Sequence, residues 1–96
     1  FYHDCSPADL ALCRSLLRPE PIEPRTDPVA LTDANYGSVR RAYVECAADR
    51  ALPLSFQRER QAAVPCDEVR TLETSHSPFL SAPDGLVGAL LDVTLD

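Results

Sequence analysis

The sequence predicts an α/β fold, because two strand-like runs flank a helix-like stretch within its 96 residues. The runs are residues 39–46 and 68–73, and residues 55–64 between them lack glycine and are rich in Gln, Arg, Glu and Ala. A strand–helix–strand order with short connections predicts two parallel strands joined by a right-handed crossover. A parallel sheet is normally covered on both faces, so two strands and three helices would be incomplete as a domain.

The N-terminal region predicts a helix over residues 7–17. Ser6 can cap its start, Pro7 suits the first helical position, and Asp9 complements the positive end of the helix dipole. Pro19 ends the helix, because the residue before a proline is disfavoured in helical backbone. One face of this helix is apolar and carries Leu10, Cys13, Leu16 and Leu17.

The segment 19–28 is a connector with four prolines, and we expect it to be extended and stiff. Residues 29–31 are a short extended candidate, and residues 33–38 are rich in turn-forming side chains. The strand over residues 39–46 follows and is compatible with burial on both faces. The chain therefore divides into residues 1–28, a helix with its connector, and residues 29–96, the α/β part.

The remaining elements complete the predicted order. The helix over residues 55–64 has strong helix formers and stops at Pro65. After the second strand, Ser81 and Pro83 resemble a helix start. The C-terminal helix that follows has an apolar face made of Leu86, Val87, Leu90, Leu91 and Val93.

The amino-acid composition argues against two classes of binding partner, nucleic acids and membranes. The net charge of −6 argues against nucleic acid, because phosphate binding needs clustered positive charge. No apolar run approaches the roughly 18 residues that cross a bilayer, so we expect no membrane association.

The cysteines bear on metal binding and on the cellular compartment. Cys5, Cys13, Cys46 and Cys66 form no C-x-x-C pair, which argues against a zinc ribbon and predicts no metal. The alternative is that the four cysteines form two disulfide bonds. However, Cys13 lies in a helical pattern and Cys46 ends an apolar strand, where free cysteine packs as a small hydrophobe. We therefore expect reduced thiols and a cytoplasmic protein.

The residues that point to chemistry are Asp49 and His76, each of which follows a predicted strand by three residues. Ligands of open α/β sheets bind beyond the carboxyl ends of the strands, and adjacent strands lie about 4.8 Å apart. A carboxylate bonded to one imidazole nitrogen leaves the other nitrogen free to take a proton. From spacing alone, Asp49 is equally compatible with a turn or helix cap, and His76 with a solvated loop.

Most of the chain resembles the C-terminal portion of the α/β-hydrolase superfamily. Within it, the sequence resembles the plant methylesterase and hydroxynitrile lyase group and its bacterial relatives. The resemblance rests on residues 5–12, 15–19, 36–41, 43–46, 49–53 and 56–58, and on Ser75-His76 near the end.

The resemblance implies a Ser-His-Asp triad in which Asp49 and His76 are the aspartate and the histidine. Its serine and oxyanion-hole amides would lie in an N-terminal part of the same hydrolase, which would be this chain's partner. No serine here has Gly-x-Ser-x-Gly surroundings, and Ser75 and Ser77 are expected to be structural. Residues 1–28 would be the end of the helical cap and its connector, and residues 29–96 the last two strands and their helices.

The implied activity is hydrolysis of a small carboxylic ester without metal or organic cofactor. Leu10, Leu16 and Leu17 could line the substrate pocket, although packing within the cap explains them equally well. Hydroxynitrile lyases of this group carry a lysine directly after the histidine, where this chain has Ser77, and this favours ester hydrolysis. Lyase or cyclase chemistry with the same histidine, and a non-catalytic binding half, remain as alternatives. Assembly into a homo-oligomer stays open.

Overall fold

The computed structural model describes residues 1–94. It contains five α-helices, one 3-10 helix and two strands among those residues. In chain order they are α1 (Pro7–Leu16), α2 (Glu23–Thr26), the 3-10 helix (Tyr36–Ser38), β1 (Ala42–Cys46), α3 (Leu54–Ala63), β2 (Glu68–Leu72), α4 (Pro78–Ser81) and α5 (Pro83–Thr94).

The start of α1 follows the sequence prediction. The Ser6 hydroxyl accepts a hydrogen bond from the Asp9 N–H at 3.1 Å and donates to the Asp9 carboxylate at 2.7 Å. These bonds satisfy an N–H group that has no partner inside the helix. The helix ends at Leu16, one residue earlier than predicted, because Leu17 already has extended backbone.

The region between α1 and β1 differs from the prediction in three places. The connector is not extended throughout, because α2 forms within it. Pro24 lies in the first turn of α2, where its missing N–H costs nothing, and Arg25 pairs with Glu20 across the turn. Residues 29–31 form no strand, and β1 begins at Ala42 rather than at residue 39.

The sheet has the predicted parallel arrangement. Strands β1 and β2 pair from Ala42 opposite Glu68 to Cys46 opposite Leu72, and α3 connects them. The ladder continues past the strands, where the Ala47 N–H donates to the Leu72 carbonyl at 2.8 Å. Because the strands are parallel, the loops that follow them leave the same edge of the sheet.

The apolar core is small. Among residues 1–94 the buried apolar side chains are Cys46, Pro78, Ala89 and Val93, and many large ones are exposed. Predicted burial of β1 on both faces is wrong for Ala42, which is exposed. The predicted apolar face of α5 is also only partly buried, with Val87, Leu90 and Leu91 about half exposed. The reason is the small number of neighbours, since α5 packs mainly on β2 and α4.

Candidate active site

Asp49 is held in the loop after β1 by the backbone that follows it. Its Oδ1 accepts hydrogen bonds from the N–H groups of Ala51 at 2.8 Å and Leu52 at 2.9 Å. This is the turn role that spacing alone allowed for an aspartate. Because both bonds go to Oδ1, the second carboxylate oxygen is directed away from the turn.

That second oxygen contacts His76. The distance from Asp49 Oδ2 to His76 Nδ1 is 2.7 Å, which is a short hydrogen bond between side chains 27 positions apart. The Asp49 side chain is almost completely buried, whereas 30% of the His76 side chain is exposed. Within residues 1–94 the ring's Nε2 has no hydrogen-bond partner. The structure therefore brings the two predicted residues together and leaves one ring nitrogen free.

The surroundings of Asp49 favour its ionised form. Burial opposes ionisation, but hydrogen bonds from the Leu52 N–H, His76 and the Ala51 N–H outweigh it, so the pKa of the Asp49 carboxyl lies below its usual value. A carboxylate at 2.7 Å from Nδ1 accepts a hydrogen bond from the Nδ1–H group, which leaves Nε2 as the basic position of a neutral ring.

A cavity of about 290 Å³ adjoins the pair. Asp49 and His76 both line it, together with apolar side chains and the amide of Gln57. Phe79, at the start of α4, lines this cavity and also a second cleft of about 330 Å³. Of the predicted pocket residues, Leu16 and Leu17 line the second cleft with Phe79, and Leu10 lies outside it. Sequence reasoning did not single out Phe79, although it follows His76 closely.

Two buried polar residues support the loop after β1, and neither was predicted as a site residue. Gln57 of α3 is 3% exposed, accepts from the Cys46 N–H at 3.0 Å and donates to the Cys46 carbonyl at 2.9 Å. It also donates to the Leu52 carbonyl at 2.7 Å. The side chain therefore pairs the end of β1 as a neighbouring strand would.

Glu45 is the second buried polar residue. It accepts hydrogen bonds from Arg58 at 2.8 Å, Thr71 at 2.8 Å and Gln61 at 3.2 Å. The bonds from Arg58, together with those from Thr71 and Gln61, outweigh the effect of burial and lower the pKa of Glu45 to about 2. Glu45 thus ties β1 to β2 and α3 beneath the two loops. The sequence gives no indication that Glu45 is buried between polar partners, because the strand pattern is otherwise apolar.

The serine before the histidine has a structural position, as the sequence predicted. Ser75 is fully buried, and its hydroxyl donates to the Phe1 carbonyl at 3.0 Å and to the Asp4 carboxylate. Its backbone N–H also donates to Asp4, at 2.8 Å. These bonds anchor the loop that carries His76 to the N-terminal segment.

The described residues also bear on metal binding and on membranes. No group of three or more potential metal-ligating side chains occurs within residues 1–94. No helix in that part of the chain is long and apolar enough to cross a membrane. All four cysteines are free thiols, and Cys46 is buried at the end of β1.

A parallel strand pair with a carboxylate after one strand and a histidine after the next is the C-terminal arrangement of an α/β-hydrolase, and the chain belongs to that fold. No family model matches the chain. It superimposes on the crystal structure of polyneuridine aldehyde esterase with a TM-score of 0.90 and 31% identity, covering 98% of this chain and 38% of that one.

Other relatives also match most of this chain and only part of their own length. Tomato methylketone synthase I, crystallised with 2-tridecanone, superimposes with a TM-score of 0.83 at 32% identity over 96% of this chain and 37% of that one. An Arabidopsis thaliana relative whose name includes "methylesterase 11, chloroplastic" is 38% identical over 86 residues, which are 88% of this chain and 22% of the relative. The chain thus spans between about a fifth and two fifths of the length of these relatives.

Proposed function

We propose that the protein containing this chain hydrolyses small carboxylic esters with a Ser-His-Asp triad. Asp49 and His76 would be the aspartate and histidine, and an N-terminal part of the same protein would supply the serine and the oxyanion-hole amides. The observation that carries the proposal is the 2.7 Å contact between Asp49 and His76 Nδ1 with Nε2 free. Relatives named as esterases, matched over their C-terminal part, support it.

The proposed mechanism follows from the two ring nitrogens. His76 Nε2 removes the proton of the serine hydroxyl as the serine oxygen attacks the ester carbonyl. The resulting imidazolium is stabilised by Asp49, which stays ionised because its pKa is lowered. Nε2 then gives its proton to the departing alcohol. A water molecule releases the acid by the same two proton transfers in the second half of the cycle. These steps need no cofactor.

The substrate would contact the apolar surfaces near the pair. Phe79 lines both the cavity beside His76 and the cleft that Leu16 and Leu17 line, so these three side chains are the proposed walls for the apolar part of an ester. The role of Leu10 remains a prediction. Residues 1–28 would belong to the cap over this site and residues 29–96 to the catalytic core.

A second candidate uses the same histidine for another reaction. One solved relative is named a methylketone synthase rather than an esterase, so the fold is not restricted to ester hydrolysis. In such a lyase or cyclase, Nε2 would shuttle a proton without an acyl-enzyme. The Ser77 position and the absence of lysine from the chain argue against the cyanide chemistry of hydroxynitrile lyases. The third candidate, a non-catalytic binding half, would need an N-terminal part without a nucleophilic serine.

The cysteines and the names of the relatives bear on the cellular compartment. Free thiols indicate a reducing compartment, and the cytoplasm is one such compartment. Several Arabidopsis relatives at 33 to 38% identity carry "chloroplastic" in their names, which conflicts with a cytoplasmic setting for those proteins. We therefore propose a reducing compartment, with cytoplasm and chloroplast distinguished by imaging a tagged full-length protein.

The experiment that tests the function replaces His76 in the complete protein. We expect His76→Ala to lower kcat for an aryl acetate by about 10³-fold or more, because the nucleophile loses its base. His3→Ala is the matched control, since His3 is the only other histidine and is exposed. A rate within tenfold of wild type in His76→Ala would exclude the triad. A β-keto acid panel analysed by mass spectrometry would separate hydrolysis from lyase chemistry.

A further inference from the structure

The loop that carries His76 is anchored by side chains from the opposite end of the chain. Ser75 lies directly before the histidine and is fully buried. Its N–H donates to Asp4 Oδ2 at 2.8 Å, its hydroxyl donates to Asp4 Oδ1, and the same hydroxyl reaches the Phe1 carbonyl at 3.0 Å. One carboxylate thus binds both the backbone and the side chain of one residue, 71 positions away in sequence.

The same segment also touches the imidazole itself. The Phe1 ring meets the His76 ring edge to face, with the centroids 4.6 Å apart and the planes at 83°. Asp49 contacts the ring through Nδ1, so the imidazole is held by Asp49 on one atom and by Phe1 on its surface. The ring's orientation therefore depends on Phe1 as well as on Asp49.

We infer that Asp4 is a positioning residue for His76, which acts through Ser75 and never touches substrate. This inference rests on the proposed function, because it concerns the histidine of the same site. By fixing the Ser75 backbone, Asp4 determines the position of His76, which is the next residue. A displacement of about 1 Å at a catalytic group can cost about 100-fold in rate. Burial opposes ionisation of Asp4, but hydrogen bonds, chiefly from Ser75, outweigh it and keep the pKa of the Asp4 carboxyl below its usual value, so the anchor is a carboxylate.

The test uses three variants of the complete protein. Asp4→Ala removes both acceptor oxygens, and we expect kcat for an aryl acetate to fall about 10- to 100-fold with KM changed less than about twofold. Asp4→Asn keeps one oxygen that can accept from the Ser75 N–H, so it should recover most of the lost rate. Asp9→Asn is the matched control. It removes a charge from the same end of the chain, where the carboxylate bonds only within the start of α1.

A spectroscopic measurement separates positioning from general stability. The His76 Nδ1 proton, held by Asp49, should give a low-field resonance in wild type and Asp9→Asn that weakens or broadens in Asp4→Ala. Ser75→Ala loses the hydroxyl bonds but keeps the N–H bond to Asp4, so it should show a smaller loss in the same direction. The double variant should be no worse than the sum of the two single variants, because the hydroxyl and Asp4 share one contact. If Asp4→Ala does not fold, Ser75→Ala alone decides the question by the same readouts.

Two results would overturn the inference. One is kcat within twofold of wild type in both Asp4→Ala and Ser75→Ala. The other is a lower melting temperature in these variants with an unchanged Nδ1 resonance and unchanged kcat below the transition. Failure of the proposed function is recognised separately, because His76→Ala would then retain activity. The Nδ1 resonance would still report on the ring in wild type and in the Asp4 variants, which keep His76.

Discussion

The two loops that leave the sheet beside the candidate active site are stabilised in different ways. The loop after β1 is held by its own neighbourhood, since Asp49 accepts from the N–H groups of Ala51 and Leu52 within three residues. The loop after β2 is held from outside, since Ser75 binds Asp4 at the other end of the chain. The contrast shows that Asp49, one half of the proposed acid–base pair, is held by local sequence, whereas the loop of His76, the other half, is held by tertiary structure.

The contact between Asp49 and His76 joins the two loops, and changing it should have the largest effect on kcat. Asp49→Asn keeps the size and one acceptor oxygen but removes the charge that stabilises the imidazolium. It also disturbs the tautomer of His76. We expect kcat in the complete protein to fall by about 10³- to 10⁴-fold, measured with an aryl ester. Asp92→Asn is the control, because the Asp92 side chain is 70% exposed. A fall of less than tenfold in Asp49→Asn would contradict the assigned role.

Removing the support inside the first loop should have a smaller effect, on stability rather than on chemistry. Gln57→Leu leaves the Cys46 N–H and the carbonyls of Cys46 and Leu52 without this partner. We expect unfolding of the complete protein to become easier by about 2 to 4 kcal/mol, measured by urea denaturation. Gln61→Leu on the same helix, which loses a single bond to Glu45, should cost clearly less. Equal losses in the two variants would show that Gln57 has no special role at the end of β1.

The ion pair between Glu45 and Arg58 should make the free energy of unfolding depend on pH. The pKa of Glu45 is lowered to about 2, chiefly by Arg58, from an ordinary value of 4.5, so its contribution is present above about pH 4.5. It is lost as pH falls towards 2, because the unfolded chain binds the proton first. Wild type should therefore exceed Glu45→Gln in stability at pH 7 by on the order of 2 kcal/mol, after allowance for solvent around Arg58.

The measurement for this pair is the difference in unfolding free energy between wild type and Glu45→Gln from pH 7 to pH 2. The difference should be constant down to about pH 5 and then shrink. Glu59→Gln is the control, because the Glu59 side chain is 69% exposed. A difference that grows with acid would contradict the sign derived from the lowered pKa.

The sequence by itself determined the order of the main elements and predicted that Asp49 and His76 would follow two adjacent parallel strands. Ser6 and Pro7 mark the start of α1 by local hydrogen bonding and a fixed backbone angle, and such signals need no distant partner. The parallel strands followed from strand–helix–strand order, and that order placed both loops at one edge. The short helix α2 was missed because its four residues, Glu23–Thr26, are too few to give an apolar repeat.

Only the tertiary structure decided how the histidine loop is held and which polar groups are buried. Asp4, Glu45 and Gln57 are ordinary polar residues in sequence, and nothing in their spacing indicates a partner. Their roles arise because folding removes water from Ser75 and from the end of β1, where each N–H and C=O must then find a protein partner. Local propensity can locate Asp49 in its turn, but contacts between distant segments exist only after the chain has folded.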